Sequence, residues 1–336
     1  MERTCFVHIG APKTGSTFLQ KVLASNQAVM REAGLLYPPS TLRGFGHHDI
    51  AFLLGGGYPD WATPQPKPLE QLLAETAGDI AGHDGDLLFS SEDFFLFPRP
   101  DRLKDFLSAC GALRGRRTRI IVYVRRQDEA MEAWYNQAVK AMGETRTIEE
   151  ACPEYADLWD YGARLSSWAD AFGEEAIMVR RFRPAGASPS ILEDFQDAVG
   201  YSGLRLLESG SGDIVNPREN ADVLEFQRAM NRLPLTAQQK RRFHKELMAL
   251  SQAARGSGIF DERPLLGAEA RLRILQRCTE SNAEVARRYL GAERLFDLDG
   301  NLDDEPTAAA GEGLTAEKLT YILGWILATA DPGRTA

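Results

Sequence analysis

Eight residues near the start of the chain, Gly10-Ala11-Pro12-Lys13-Thr14-Gly15-Ser16-Thr17, combine two glycines, a lysine and three hydroxyls. They follow the apolar run Cys5 to Ile9, which reads as a buried strand, and precede Phe18, Leu19, Val22 and Leu23 at helical spacing. A strand, a glycine-bearing turn and a helix make an anion site, because the free N–H groups and the positive dipole end of the helix face the loop. Lys13 adds a full charge, and Ser16 and Thr17 add hydroxyls. The chemistry that suits such a site is the holding of a phosphate or sulfate ester.

The loop is not GxxxxGK[ST], since Lys13 stands two residues before Gly15 rather than after it. A second cationic group, Arg125-Arg126, follows the strongest strand signal, Ile120 to Val124. An enzyme built on ATP and Mg2+ wants an acid after such a strand, whereas two arginines suit a second phosphate directly. The donor this favours carries two separated anionic groups. Ser91-Glu92-Asp93 ends the strand Asp86 to Ser90, and in an open α/β sheet ligands gather at the carboxyl ends of strands, so Glu92 is expected to face the same crevice as Lys13. A helix N-cap is the plainer alternative. Gly46-His47-His48-Asp49 places two of the five histidines together, as acceptor-site chemistry or as a polar turn. As general base Glu92 is preferred to His48, because a strand end is rigid scaffold and the histidines lie in a loop-rich stretch.

Pro12-Lys13-Thr14-Gly15-Ser16-Thr17 resembles the 5′-phosphosulfate-binding loop of sulfotransferases, which draw on 3′-phosphoadenosine 5′-phosphosulfate (PAPS). Val124-Arg125-Arg126-Gln127-Asp128, followed by Trp134-Tyr135-Asn136-Gln137, resembles their 3′-phosphate motif, in which an arginine ends the strand and a serine stands eight residues later. Arg125 takes the arginine's place and Ala133 the serine's, so one hydroxyl donor is missing. Such a bond to a charged group is worth about 1.5–3 kcal/mol. Arg126 is one replacement, and Arg218 is another, since related enzymes return a loop over the nucleotide at Asn216 to Asn220; a helix-start turn explains that stretch nearly as well. Gly34-Leu35-Leu36-Tyr37-Pro38, the Ser91-Glu92 pair and the basic-aromatic end of the Ala176 to Arg180 strand are similar to segments of bacterial and carbohydrate members.

The resemblance implies a PAPS-dependent sulfotransferase of bacterial type. Pro12, Lys13, Thr14, Gly15, Ser16, Thr17, Arg125 and Arg218 would hold the donor, with Lys13, Glu92 and His48 at the reacting centre and adenosine 3′,5′-bisphosphate (PAP) as product. The acceptor is a hydroxyl or amine on a glycan, lipid or small metabolite, and no metal is implied. A small-molecule kinase using ATP and Mg2+ and a noncatalytic nucleotide-binding module are the alternatives.

The elements that must position these groups alternate as strand and helix up to about residue 205 and are helical afterwards, through Thr236 with its capping residue Gln239 and through Leu275, Cys278, Val285 and Tyr289 as one long helix. This predicts a P-loop-like α/β core with a central parallel sheet flanked by helices, plus a C-terminal helical elaboration, in a single domain over 1–336. Helices are expected at Leu69 to Ile80 and Leu103 to Leu113, with a Pro/Gly-rich insertion over 38–68. The chain has 336 residues, 43% hydrophobic and 26% charged, with a net charge of −9 that excludes nucleic acid as the obvious partner. Four cysteines without metal-ligand spacing, and no signal-like or anchor-like N-terminus, point to a reducing cytoplasm. Leu319 to Ala330 is too short to span a bilayer and reads as a core or dimer-interface helix, so a homo-oligomer is compatible. Asp297 to Glu305 departs from a calcium loop in its glycine position and closing residue, and reads as an acidic linker.

Overall fold

The structure is a computed structural model, and it describes residues 2–184, 186–207, 219–296 and 313–329. Its strands are β1 (Arg3–His8), β2 (Leu35–Leu36), β3 (Asp86–Ser90), β4 (Arg116–Val124) and β5 (Ile177–Arg181). They form one parallel sheet in the order β2-β3-β1-β4-β5. Ile120 to Val124 are essentially inaccessible, as expected when both faces of a parallel sheet are covered. The connection leaving β1 leads to the β2 edge and the one leaving β3 leads to β4. The neighbouring strands β1 and β3 therefore send their chains in opposite directions, which opens a crevice outside their carboxyl ends.

Helices α1 (Ser16–Ser25) and α2 (Gln27–Glu32) fill the first crossover, and α3 (His48–Gly55) and α4 (Leu69–Ile80) the second. The short α5 (Asp93–Leu96) and α6 (Pro100–Ala109) lead to β4. α6 starts earlier than the periodicity predicts because Pro100 is preset for a first helical turn, and it stops before Gly111, whose φ is +82°. α1 lays Leu19, Val22 and Leu23 on one sheet face, in a cluster with Phe6, Leu88, Ile121, Leu192 and Phe195. The insertion over 38–68 is less loop-like than its Pro and Gly content predicts. Its apolar piece folds as α3, with Ile50, Ala51 and Phe52 at most 1% exposed, so burial overrides the local breakers.

After β4 come α7 (Gln127–Gln137), a π turn at Ala138–Met142, α8 (Ile148–Tyr155), α9 (Tyr161–Phe172) and, past β5, α10 (Ile191–Val199). The remaining helices are α11 (Ala221–Met230), α12 (Ala237–Ala253), α13 (Ala268–Arg277), α14 (Thr279–Val285) and α15 (Ala316–Thr329). The long helix expected through Leu275 and Tyr289 is broken at Cys278 and ends in a π turn at Ala286–Leu290.

The chain divides into two compact units, 1–126 with 158–215 and 278–297, and 127–157 with 216–277 and 298–336. This interleaving differs from a cut near residue 205. The first unit contains the sheet. The second is helical among its described residues: Val223, Leu247, Leu250, Phe260 and Ile322 make its core, and the buried Arg271 pairs with Asp128 at 3.1 Å and Glu132 at 2.7 Å. Asp128 is thus spent on a helix–helix ion pair. α15 buries Ile322 in that core and leaves Leu323 and Leu327 exposed. Asp297 to Glu305 and Arg218 lie outside the described residues.

Candidate active site

Lys13, Arg125, Glu92 and His48 all belong to the first unit. The loop between β1 and α1 is an extension of the sheet before it turns: Ile9 N donates to Ile121 O and Ala11 N to Tyr123 O, both at 2.9 Å. Lys13 has φ +64° and Gly15 φ +80°, so the chain curls left-handed twice and presents the start of α1. No side chain caps that helix and no acid occupies its first turn, which leaves the amide ends for an anion. A Cβ at position 15 would sit 2.7 Å from Ile191 Cδ1, so the glycine also lets the loop lie against α10. Thr14 turns inward, its hydroxyl donating to Ala11 O at 2.6 Å, and therefore shapes the loop with its side chain. Lys13 and Thr17 are half-buried, while Pro12 and Ser16 are buried.

Arg125 leaves the end of β4 and donates through Nη1 to Lys13 O at 3.2 Å. Its guanidinium stacks 5.3 Å from the centroid of Phe182, the residue after β5, and Tyr161 Oη bridges its backbone by donating to Arg125 O at 2.7 Å. Arg125 is therefore held beside the loop by aromatic groups, with its planar charge against the Lys13 carbonyl. Ala133 lies on α7 in the second unit and Arg218 lies outside the described residues, while Arg126, the other replacement the sequence suggests, follows Arg125 within the first unit.

On the other side of the loop, β1 and β3 end level, with His8 opposite Ser90. A Cβ on Gly10 would lie 3.1 Å from Cα and Cβ of Glu92, so the strand-end acid packs directly on the start of the loop. Glu92 is the N-cap of α5 but makes no side-chain cap; its Oε2 accepts from Gln20 Nε2 at 2.7 Å. The N-cap alternative accounts for its position and leaves its carboxylate to other work.

The two adjacent histidines separate into different roles. His47 is inaccessible: Nδ1 accepts from Ser90 N at 3.1 Å and Nε2 donates to Pro38 O at 3.1 Å, while burial pushes its pKa down to about 3. It is a neutral structural group. His48 opens α3, with Nδ1 2.7 Å from Asp93 Oδ2 and 3.0 Å from Ser91 Oγ. Burial, the largest influence, opposes its charging, but the Asp93 hydrogen bond and the charges of Glu92, Asp93 and Asp49 together raise its pKa above the usual value. An imidazole bonded to a carboxylate through Nδ1 keeps Nε2 for a proton. Neither histidine is a solvated polar turn.

Asp93 and Gln20 escaped the sequence reading. Asp93 follows Glu92 directly but is recognisable as a partner only once α3 is known to lie against α5. Gln20 had one signal, a polar residue between Leu19 and Val22 on the buried side of α1. Phe182 was visible as part of a basic-aromatic pair, without its stacking role.

The first unit thus brings to the carboxyl ends of its parallel strands a left-handed loop with an uncapped helix start after the central strand, a clamped arginine after β4, and after β3 an acid packed on the loop with an imidazole oriented by Asp93. No family model matches the chain. It is 29% identical over 215 residues to an uncharacterized protein of Archaeoglobus fulgidus, a match covering 63% of this chain and 56% of that protein, so the chain spans just over half of that relative's length. Among solved structures it is similar to a sulfotransferase from Alicyclobacillus acidocaldarius, with a TM-score of 0.41 and 16% identity over 64% of this chain and 88% of the other. No helix among the described residues is long and apolar enough to cross a membrane.

Proposed function

We propose that the chain is a PAPS-dependent sulfotransferase that moves the sulfuryl group to an acceptor hydroxyl. The observation that carries this reading is the contact of Arg125 with the backbone of Lys13, which sets a guanidinium stacked on Phe182 beside the loop that leads into the uncapped start of α1, an arrangement that suits a donor with two anionic groups. In the reaction the acceptor oxygen attacks sulfur, the bond from sulfur to the 5′-phosphate oxygen breaks, PAP leaves, and the acceptor proton passes to a base. Lys13 and the amides at the start of α1 take up the charge that develops on the departing oxygen.

For the base, geometry now favours His48 over Glu92. The sequence-based preference for Glu92 rested on the insertion lacking fixed geometry, yet α3 seats His48 on Asp93 and Ser91 as firmly as β3 seats Glu92. Glu92 then serves as the anion that makes the imidazole more basic. The acceptor class stays as broad as glycan, lipid or small metabolite, and cytoplasmic, homo-oligomeric operation is part of the proposal.

Arg125→Ala tests the donor assignment. It should weaken PAP about 10- to 100-fold, the worth of one charge-assisted bond or a pair, and leave adenosine 5′-phosphosulfate, which has no 3′-phosphate, within about threefold. Calorimetric titration with both nucleotides measures this. Equal losses would make Arg125 a structural clamp for the loop.

A further inference from the structure

Ser90, the last residue of β3, is inaccessible and is held by a histidine on each flank. β2 pairs with β3 only as far as Leu87. Beyond that point His47 takes the place of the missing strand: its N donates to Ser90 O at 2.8 Å, and its Nδ1 accepts from Ser90 N at 3.1 Å. On the other flank His8 of β1 stands opposite Ser90, with Nδ1 2.8 Å from Ser90 Oγ. Both imidazoles are inaccessible.

Neither ring has a place for a second proton. His47 Nδ1 faces a backbone N–H and its Nε2 donates to Pro38 O at 3.1 Å, so a proton on Nδ1 would set donor against donor. His8 lies edge-on to Tyr123 and Phe195, with ring centroids 6.0 Å and 5.5 Å away, and its Nε2 is buried with no hydrogen-bond partner among the described residues. Whichever nitrogen carries the proton of the neutral His8, the charged ring would hold a buried N–H at Nε2 without an acceptor. Burial accordingly pushes the pKa of His8 down to about 4 and that of His47 down to about 3. The charge of Glu92 favours the proton on His8, while for His47 the bonds to Pro38 and Ser90 favour it and His48 opposes it. Around them, Tyr37 is edge-on to His47, and burial raises its pKa and that of Tyr123. Tyr123 donates to Asp194 on α10 at 2.7 Å, and that carboxylate is paired with Arg180 at 2.7 Å.

We propose that the clamp of His8 and His47 on Ser90 is an acid-sensitive latch beneath the candidate site, closed while both imidazoles are neutral and opening locally, with the end of β3 parting from His47, when they take up protons. Ser91 and Asp93 follow Ser90, and His48 follows His47, so opening also separates His48 from the two groups that orient it. The latch is independent of which group the site transfers. In the open form both rings titrate near the ordinary value of about 6.5, and in the closed form far below it. A histidine whose pKa is lowered by folding stabilises the closed form fully above about pH 6.5, and that stability is lost as pH falls below it. Each proton taken up on opening raises the open population by up to about tenfold per pH unit, so two raise it by up to about 100-fold.

The test is hydrogen exchange of the full-length chain, read by mass spectrometry on peptides covering 86–91. These carry the Ser90 amide, bonded to His47 Nδ1, and the Ser91 amide, bonded to His8 O at 3.0 Å. Between about pH 6 and pH 5, His48, whose pKa is raised, is charged in both forms and adds little. Over that unit the protection of these amides, corrected for the intrinsic exchange rate, should fall about 30- to 100-fold. His8→Asn and His47→Asn each keep a hydrogen-bonding atom in the place of Nδ1 and remove one titrating ring. Each should cut the fall to about 5- to 10-fold, and either variant stands in if the other does not fold. A wild-type fall of about tenfold or less, or a folded variant that keeps the full wild-type fall, overturns the latch. An equal fall in peptides from α12, in the helical unit, would assign the protons to global unfolding and overturn local opening. Loss of PAP binding in the wild type would bear on the sulfuryl-transfer reading and leave this result standing.

Discussion

Lys13→Ala should lower kcat about 100- to 1000-fold, the range seen when one preorganised donor to a developing oxyanion is removed, while weakening PAP far less. The left-handed turn at Lys13 places its backbone, and with it the Arg125 contact, in the loop that leads into the uncapped start of α1. In the proposed reaction the product PAP is already fully charged and would also be held by the helix start and Arg125, so the lysine's charge would count most when the 5′-phosphate oxygen acquires its own. Transfer rates at saturating donor, compared with PAP titrations on the same variant, separate the two effects. A loss of affinity equal to the loss of rate would make Lys13 a binding group only.

His48→Ala should slow transfer about 100- to 10,000-fold with PAP still bound, as removal of a general base does. Glu92→Gln should cost about tenfold, through the weaker base it leaves at His48. The pH dependence has a definite sign. His48 must be neutral to accept the proton, and its pKa is raised in the folded protein by Asp93, Glu92 and Asp49 against burial. The rate therefore climbs as pH rises through that raised pKa and is lost below it. Asp93→Asn removes the strongest raising influence, so the acid limb moves to lower pH even as kcat falls because Nδ1–H has lost its orienting carboxylate. Rate profiles over pH for the four proteins decide the matter. Should Glu92→Gln lose the larger factor and His48→Ala keep near wild-type turnover, the base is the strand-end acid that the sequence alone favours.

Much of the sheet and of the turn into α1 was legible in the sequence. Ile120 to Val124 and Leu87 to Phe89 are unbroken apolar stretches, and Gly15 with Lys13 marks the turn that follows β1, so buried strands and the turn follow from local pattern. The grouping around His48 and Glu92 was not, because it depends on contacts far apart in the chain. His48 meets Asp93 across 45 residues and Gln20 meets Glu92 across 72. Local composition misleads there: prolines and glycines around Ile50 to Leu54 suggest a loop, while the buried hydrophobic face makes a helix. The identity of adjacent histidines could not separate the structural His47 from the oriented His48, since only the partners Pro38, Ser90, Ser91 and Asp93 do so.

The central claim is a site for a nucleotide with anions at both the 3′ and 5′ positions, and calorimetric titration of the full-length protein with PAP in EDTA, against ATP with Mg2+, tests it most directly. PAP should bind without metal and raise the melting temperature with increasing concentration, as a ligand selective for the folded state must, and ATP–Mg2+ should bind at least about tenfold more weakly. Preference for ATP–Mg2+, or no binding of PAP at all, would contradict the account.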